Sequence, residues 1–183
     1  MSDHTLTDDV VILAPLTGED ATEWLAGQDE EQVRWFELAR PAQLSEVQCF
    51  ISERMESWRT MGNHRHWGIR FVDSTTLLGG VEVRPLGDSE VNLSYVIFPA
   101  FRRRGVARRA SLLALSYAAD TMGAETAVIR ILPGNESSMN LARSLGATYG
   151  GEEPSYAGDT FKVFKLSLGT TCASDSSCDQ DLR

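Results

Sequence analysis

The sequence has few cysteines, no basic amino-terminal leader and no long apolar run. Three cysteines in 183 residues are too few for the disulfide framework of a small secreted protein. No stretch approaches the roughly 20 consecutive apolar residues that cross a bilayer. The first twenty residues are acidic where a secretion signal would be basic. We therefore expect a cytoplasmic protein that does not act at a membrane.

Metal-binding patterns are also lacking. Cys49 lies on the apolar side of a predicted helix, which predicts a buried side chain. Cys172 and Cys178 lie in a polar tail, where the sequence leaves their pairing open. Their spacing does not fit a zinc site. His64 and His66 would share one face of a strand, but no third ligand is apparent. We expect no metal, and we interpret the two histidines as surface or acceptor-pocket residues.

The formal net charge is −9, from 17 basic and 26 acidic residues. Such a surface repels nucleic acid and favours cationic ligands near its clefts. Against this background, arginines are concentrated in one short segment, which contains Arg102, Arg103, Arg104, Arg108 and Arg109. A solvated basic helix start would explain the cluster, but its contrast with the rest of the chain favours a local anionic ligand.

Hydrophobic periodicity predicts one mixed α/β domain over residues 1–168, followed by a disordered acidic tail over residues 169–183. The predicted order is β-α-α-α-β-β-β-α-β-α-β-β, with one central crossover helix. Helices are expected after Thr17 and over Glu30–Leu38, Ala42–Met61, Gly105–Met122 and Asn135–Leu145. Strands are expected over Val10–Leu16, His66–Val72, Leu77–Arg84, Val91–Phe98, Ala127–Leu132, Ala147–Gly151 and Thr160–Leu168.

The helix predicted over Ala42–Met61 has apolar residues at steps of three and four, which indicates one buried stripe. The stripe consists of Leu44, Val47, Ile51, Met55 and Trp58.

The junction between the strand Val91–Phe98 and the following helix has the properties of an anion site. A helix start presents backbone N–H groups without internal partners, together with the positive end of the helix dipole. Gly105 allows close approach of a ligand to the backbone, and Ala107 keeps the next position open. Flanking arginines add charge. The segment Arg102–Ala107 therefore predicts a cradle for a pyrophosphate. It is not the Gly-Lys-Ser/Thr loop of nucleotide hydrolases, nor the three-glycine dinucleotide fingerprint.

Taken in context, this segment resembles the GCN5-related N-acetyltransferase (GNAT) family. The family's cofactor motif, (Gln/Arg)-x-x-Gly-x-(Gly/Ala), is matched by Arg102, Gly105 and Ala107. Its second motif is similar to Asn135–Ser138 with the residues that follow. The resemblance covers roughly residues 10–168 and is closest to the branch that acetylates ribosomal-protein alanine or serine termini. It implies the GNAT fold: a mixed central sheet of about seven strands, splayed at a bulge between strands 4 and 5, with four to five flanking helices.

The resemblance also implies acetyl-CoA as cosubstrate and no metal. The pantetheine arm would lie in the gap between the splayed strands and would pair with backbone groups there, as an added strand does. An N–H from the same stretch would stabilise the oxyanion. The implied cofactor-binding residues are Val96, Ile97, Phe98, Arg102, Arg103, Arg104, Gly105, Val106, Ala107, Arg108, Asn135 and Ser138.

Two proton transfers require catalytic groups. Many family members protonate the leaving thiolate with a tyrosine just after the position of Leu141, where this chain has Ala142. Ser138 is the nearest matching polar group, although a first-turn hydroxyl also satisfies backbone donors. Glu82 and Glu90 are the candidate bases. The alternatives are exposed strand glutamates and a bound water chain, because Asn92 stands where the family often has an acid.

Trp35, Asn92 and Tyr95 are the candidate substrate-binding residues. The acidic surface favours a small cationic acceptor such as an antibiotic or a polyamine. If the acceptor is an antibiotic, the role would be antibiotic resistance. The alternatives are acetylation of protein N-termini, as by the ribosomal-protein branch, and a non-catalytic CoA-binding module. The sequence leaves open whether the chain is a monomer or a homodimer.

Overall fold

Eight strands form one mixed sheet in the computed structural model, which describes residues 4–62 and 64–169. Their spatial order is β1-β2-β3-β4-β5-β6-β8-β7, and only β5 and β6 pair in parallel. The predicted tail, with Cys172 and Cys178, lies outside the described residues from position 170 onward. The strands are β1 (Leu6–Thr7), β2 (Val11–Pro15), β3 (Arg65–Phe71), β4 (Gly79–Gly87), β5 (Glu90–Ile97), β6 (Thr126–Ile131), β7 (Thr148–Pro154) and β8 (Thr160–Ser167).

In the part of the chain that the structure describes, five α-helices accompany the sheet, and the predicted order of elements is confirmed. The two-residue strand β1 is the addition, and it is too short to give a periodic signal. Within the described ranges, no helix is long and apolar enough to cross a membrane. The helices are α1 (Ala21–Ala26), α2 (Glu30–Trp35), α3 (Leu44–Arg59), α4 (Val106–Met122) and α5 (Glu136–Ser144).

The two faces of the sheet pack against different helices, as the alternation of β4 shows. Val81 is buried in the main core, together with residues of α4 and α5. Its neighbour Gly80 faces the opposite way, since a Cβ there would meet the ring of Trp24 on α1. A smaller cluster on that side joins Trp24 to Val47 and Ile51 of α3. We call the sheet face that carries Val81 the α4–α5 face, and the face that packs against Trp24 the α1–α3 face.

Helix α3 buries a narrower stripe than its sequence predicts. Val47, Ile51 and Trp58 are buried, whereas Leu44 and Met55 are more than 40% exposed. At about 100° per residue, the three buried residues point in one direction and the other two lie on its flank, beyond the reach of α1 and the sheet. Cys49, two residues after Val47, points the opposite way and is exposed. The prediction of a buried Cys49 is therefore wrong.

The predicted splay lies between β5 and β6, which are the fourth and fifth strands of the predicted order because β1 was not predicted. Their pairing covers only Glu90, Val91 and Asn92 on β5, opposite residues 126–128 of β6. Beyond Asn92, β5 has a ladder partner on the β4 side alone, and a gap opens on the other side. The expected bulge is not at this gap: β5 stays in register with β4 from Val91 to Ile97, and the register shift lies near Pro85.

A glycine in β4 makes the register beside the gap possible. Gly79 has φ +148°, and a Cβ there would lie 2.0 Å from the carbonyl oxygen of Val96. We expect Gly79→Ala to cost about 3 kcal/mol, because a backbone atom cannot move aside as a flexible side chain can. The melting temperature should fall by about 10 °C in thermal unfolding.

Gly18→Ala is the matched control, since nothing lies within 4 Å of a Cβ at Gly18. It should melt within about 2 °C of wild type. Equal melting temperatures for the two variants would contradict the proposed clash.

Candidate functional site

One cavity of about 960 Å³ follows the gap from the start of α4 to the strands near Glu82. Most of the predicted site residues line it, although Phe98, Arg104 and Glu90 do not. Phe98 is buried beside Trp24, and the guanidinium of Arg104 lies over the ring of Phe101. The predicted residues on the cavity wall are Trp35, Glu82, Asn92, Tyr95, Val96, Ile97, Arg102, Arg103, Gly105, Val106, Ala107, Arg108, Asn135 and Ser138.

The start of α4 forms one end of the cavity. Gly105 is the N-cap residue, with φ +75°. The first intrahelical bond runs from the N–H of Arg109 to the carbonyl of Gly105, so the N–H groups of Val106, Ala107 and Arg108 have no partner inside the helix. Nothing lies within 4 Å of a Cβ at Gly105. The position therefore requires glycine for its left-handed backbone.

Arg102 holds the cradle in place through contacts within the protein. Its Nε donates to the carbonyl of Ile97 at 3.0 Å, and its Nη atoms contact Asp29 and Glu31 at 2.7–3.0 Å. Burial alone would raise the pKa of Asp29, but the bonds from Arg102 and from the N–H of Gln32 lower it overall. The guanidinium groups of Arg103 and Arg108 are exposed on the cavity wall, and they can bind an anion there.

The backbone of β5 presents alternate groups to the gap. The N–H of Phe98 donates to the carbonyl of Leu78, on the β4 side. Residues an even number of positions away, such as Val96, face the same side. The N–H groups of Tyr95 and Ile97 therefore point into the gap. Of the three residues predicted to hold an extended ligand through their backbone, only Ile97 presents its N–H there.

On the α4–α5 face, a phenol and a hydroxyl stand beside the gap. The Tyr95 hydroxyl donates to the carbonyl of Ser138 at 3.5 Å. Burial raises the pKa of Tyr95 to about 12, so the phenol keeps its proton at neutral pH. The side chain of Asn135 accepts from the N–H of Ser138 at 3.1 Å and caps α5. This leaves the Ser138 hydroxyl free of that capping role. Ala142 is completely buried.

On the α1–α3 face, a carboxylate holds a histidine. Oε1 of Glu82 lies 2.5 Å from Nδ1 of His64, and Oε2 lies 3.8 Å from Nδ1 of His66. Nη1 of Arg54 is 3.1 Å from the same nitrogen of His64, but that nitrogen can serve only one partner. The shorter contact with an ionised carboxylate favours Nδ1–H donating to Glu82, which leaves Nε2 of His64 as an acceptor.

The pKa of Glu82 is lowered to about 2. Burial alone would raise it, but the nearby His66 imidazole, the Arg54 guanidinium and the hydrogen bond with His64 outweigh burial. Burial lowers the pKa of His66. Glu82 is therefore a permanent anion near neutral pH, which orients the imidazole of His64 and is itself a poor proton acceptor.

The other predicted residues have defined partners. Glu90 pairs with Lys165 at 2.7 Å, outside the cavity, because it lies at the end of β5 far from the gap. Arg130 donates to Oδ1 of Asn92 at 2.9 Å and to Glu153 at 2.6 Å, just where β5 and β6 part. Trp35 stands at the opposite wall, where its ring would lie 3.9 Å from a Cβ added at Gly134.

Gln32 and Arg54 also line the cavity, yet neither belongs to a sequence motif. They lie on α2 and α3, and only the packing of these helices brings them to the site. The sequence signals that pointed to this region were the spacing of His64 and His66 and the predictions of Glu82 and Trp35 as site residues. Among the residues that the structure describes, no group of three or more His, Cys, Asp or Glu side chains could hold a metal ion.

The sequence matches the family model described as an acetyltransferase (GNAT) domain over residues 11–148. It is 26% identical over 148 residues to alpha/beta-tubulin-N-acetyltransferase 9 of Mus musculus. That alignment covers 74% of this chain and 60% of the relative, so the chain spans about three fifths of the length of the curated relative it matches.

Solved structures share the fold. A candidate ribosomal-protein-serine acetyltransferase from Vibrio cholerae has a TM-score of 0.76 at 22% identity, and the match covers 90% of this chain and 98% of that one. The microcin C7 self-immunity acetyltransferase MccE, solved with acetyl-CoA and AMP, has a TM-score of 0.74 at 16% identity, with coverages of 88% and 94%. At these identities the likeness concerns the fold.

The lowered pKa of Glu82 predicts a pH-dependent contribution to stability. The folded carboxylate binds protons less readily than the unfolded one, whose pKa is 4.5. Its contribution is complete above about pH 5 and is lost as the pH falls toward 2. We expect Glu82→Gln to reduce the free energy of unfolding by up to about 3 kcal/mol at pH 7, and the difference from wild type to shrink below about pH 5 in urea titrations.

Glu90→Gln is the control, because its ion pair with Lys165 is at the surface. It should remain within about 0.5 kcal/mol of wild type at each pH. A Glu82→Gln deficit that does not change between pH 7 and the acidic range would contradict the assignment.

Proposed function

Because the chain belongs to the GNAT acetyltransferase family, we propose that it transfers the acetyl group of acetyl-CoA to a primary amine by direct attack. The observation that carries this proposal is the continuity of one cavity. It joins the free N–H groups at the start of α4, the unpaired side of β5 and the Glu82–His64 pair. An anion site, an extended-chain site and a proton acceptor are the three components that this reaction needs.

The residues present fit acetyl-CoA. The N–H groups of Val106, Ala107 and Arg108, with the exposed guanidinium groups of Arg103 and Arg108, would hold the pyrophosphate. The gap-facing backbone of Tyr95 and Ile97 would pair with the pantetheine arm. Arg102 keeps this stretch in place through the carbonyl of Ile97. When bound, the thioester supplies the acetyl group.

The sheet separates the two proton transfers. On the α1–α3 face, Nε2 of His64 would accept the proton from the attacking amine while Glu82 holds Nδ1–H. On the α4–α5 face, the Tyr95 phenol or the Ser138 hydroxyl would donate a proton to the leaving sulfur. The N–H groups of β5 between them would stabilise negative charge that develops on the thioester oxygen. In this proposal Glu82 is the positioning residue and His64 is the base.

Two acceptor classes fit the reaction. The net charge of −9 supports a small cationic amine. The names of the tubulin relative and of the ribosomal-protein structural neighbour support a protein acceptor, for which a protein N-terminus would supply the primary amine. A non-catalytic CoA-binding module would bind acetyl-CoA without releasing thiol in the presence of any amine.

The cradle can be tested with two valine variants of the same helix. The φ of +75° at Gly105 costs valine about 1–2 kcal/mol, so the backbone of the variant relaxes from it and turns the adjacent N–H groups away from a bound phosphate. We expect Gly105→Val to weaken CoA binding at least about tenfold in isothermal titration calorimetry. Gly123→Val carries the same kind of strain at the other end of α4, where φ is +68°, and should bind CoA as wild type does. Equal losses in both variants would point to a global effect and contradict the cradle.

His64→Gln tests the base. The variant should lower kcat/KM by about 100-fold, with CoA affinity unchanged. His4→Gln is the control, because His4 stacks on Trp58 outside the cavity. If His64→Gln kept the wild-type rate, a water chain would be the base.

A further inference from the structure

A second cavity opens beside the first on the α1–α3 face, with a volume of about 310 Å³. Its walls are largely apolar and include Trp24, Val47 and Phe50. The rings of Trp24, Phe50 and His66 lie with their centroids 5.2–5.4 Å apart, so they pack into one aromatic floor. Gly80 allows this packing, since a Cβ there would come within 2.7 Å of both Trp24 and His66.

The two cavities meet at a shared wall. Glu82, Ser94 and Val96 line both of them, and all three side chains project to the α1–α3 face of adjacent strands. Gln32 and Arg54 line both cavities from the helical side. One acceptor molecule can therefore reach both cavities. Its amine would stand between the Glu82–His64 pair and the gap, and the side chain next to that amine would enter the second cavity.

Polar atoms without partners point to a ligand in this region. Gln32 is 9% exposed and His66 is 6% exposed. Within the described part of the chain, Oε1 of Gln32, both ring nitrogens of His66 and Nε of Arg54 are buried without a hydrogen-bond partner. Since roughly 90% or more of buried polar groups in proteins are paired, such a concentration on one cavity wall is unusual. A ligand with an N–H or O–H group could donate a hydrogen bond to the side-chain oxygen Oε1 of Gln32.

The size and character of the second cavity restrict the acceptor. A volume of 310 Å³ is at the lower end of the ~300–1,000 Å³ range of small-molecule pockets. It fits one side chain, but not an aminoglycoside. Burial of a polyamine chain against Trp24, Val47 and Phe50 would desolvate further ammonium groups. The carboxylates of Glu46 and Glu82 line this cavity, but they are already paired with Arg40 and His64. The apolar walls favour an aliphatic or aromatic group.

We propose that the acceptor is a peptide N-terminus whose first residue has a large apolar side chain, such as leucine, methionine or phenylalanine. This inference rests on the proposed function and names its substrate. The side chain occupies the cavity over Trp24 and Phe50, the α-amine lies at the shared wall near Glu82, and a peptide N–H donates to Oε1 of Gln32. The second cavity thus selects the acceptor by its first side chain.

The test compares acceptors that differ in one side chain. Octapeptides of identical sequence beginning with Leu, Met, Phe, Ser or Gly are assayed by thiol release from acetyl-CoA, with spermidine and kanamycin in parallel. We expect kcat/KM for the Leu, Met and Phe peptides to exceed that for the Ser and Gly peptides by at least about tenfold. Titration calorimetry of the same peptides with the CoA-bound protein should give the same ranking without turnover.

Two alanine variants make the test specific for the cavity. Ala42 lines the second cavity at its rim, and Ala26 on α1 is exposed and lines neither cavity. Ala42→Leu should fill part of the space and remove the preference for large first residues. Ala26→Leu should keep the preference. Circular dichroism melts of both variants establish that they are folded.

The outcomes separate this inference from the proposed function. Equal turnover of all five peptides, or a higher kcat/KM for spermidine or kanamycin than for the Leu peptide, would overturn the inference and leave N-acetyl transfer intact. Binding of acetyl-CoA with no thiol release on any amine would overturn the proposed function. A preference for Leu, Met and Phe that survives in Ala42→Leu would show that the second cavity is not where selection occurs.

Discussion

The site depends on the early end of pairing between β5 and β6. A parallel pair that stops after three residues leaves backbone groups of β5 facing a gap, and unpaired buried N–H groups are costly in a folded protein. Side chains fix both ends of this gap. Arg130 joins Asn92 to Glu153 where the strands part, and Arg102 holds the carbonyl of Ile97 at the other end. The gap is therefore built into the fold, with hydrogen-bonding groups ready for an extended ligand.

Arg102 also connects the gap to the proposed acceptor side. Helix α2 has six residues, which is too short for stability on its own. Asp29 caps its first turn by accepting from the N–H of Gln32, and Arg102 binds both Asp29 and Glu31. Arg102 therefore positions the helix that carries Gln32 and Trp35. The regions proposed to bind the acetyl donor and the acceptor share this one structural support.

Several predictions from the sequence were accurate because they concern neighbours in the chain. Periodicity depends on residues three or four apart, and the order of helices and strands followed from it. The errors have separate causes. The periodicity of α3 does not reveal how wide a stripe α1 and the sheet can cover, so Leu44 and Met55 were expected to be buried. Cys49 was assigned to the apolar side of this helix, although it points away from the buried stripe. Alternation along β5 placed Glu90 with Asn92 and Ser94, but the end of the strand lies outside the cavity beside Lys165.

The order of helices and strands and the proposed anion cradle could be predicted from the sequence, since Arg102–Ala107 and the first turn of α4 are contiguous and their N–H groups, glycine and arginines act locally. Which distant side chains meet depends on the tertiary structure. His64 is 18 residues from Glu82, and Arg102 is 73 residues from Asp29, and no local pattern encodes such pairings. The cavity that contains Gln32 and His66 exists only because α1, α2 and α3 pack over one face of the sheet, so the features that would choose an acceptor arise from packing.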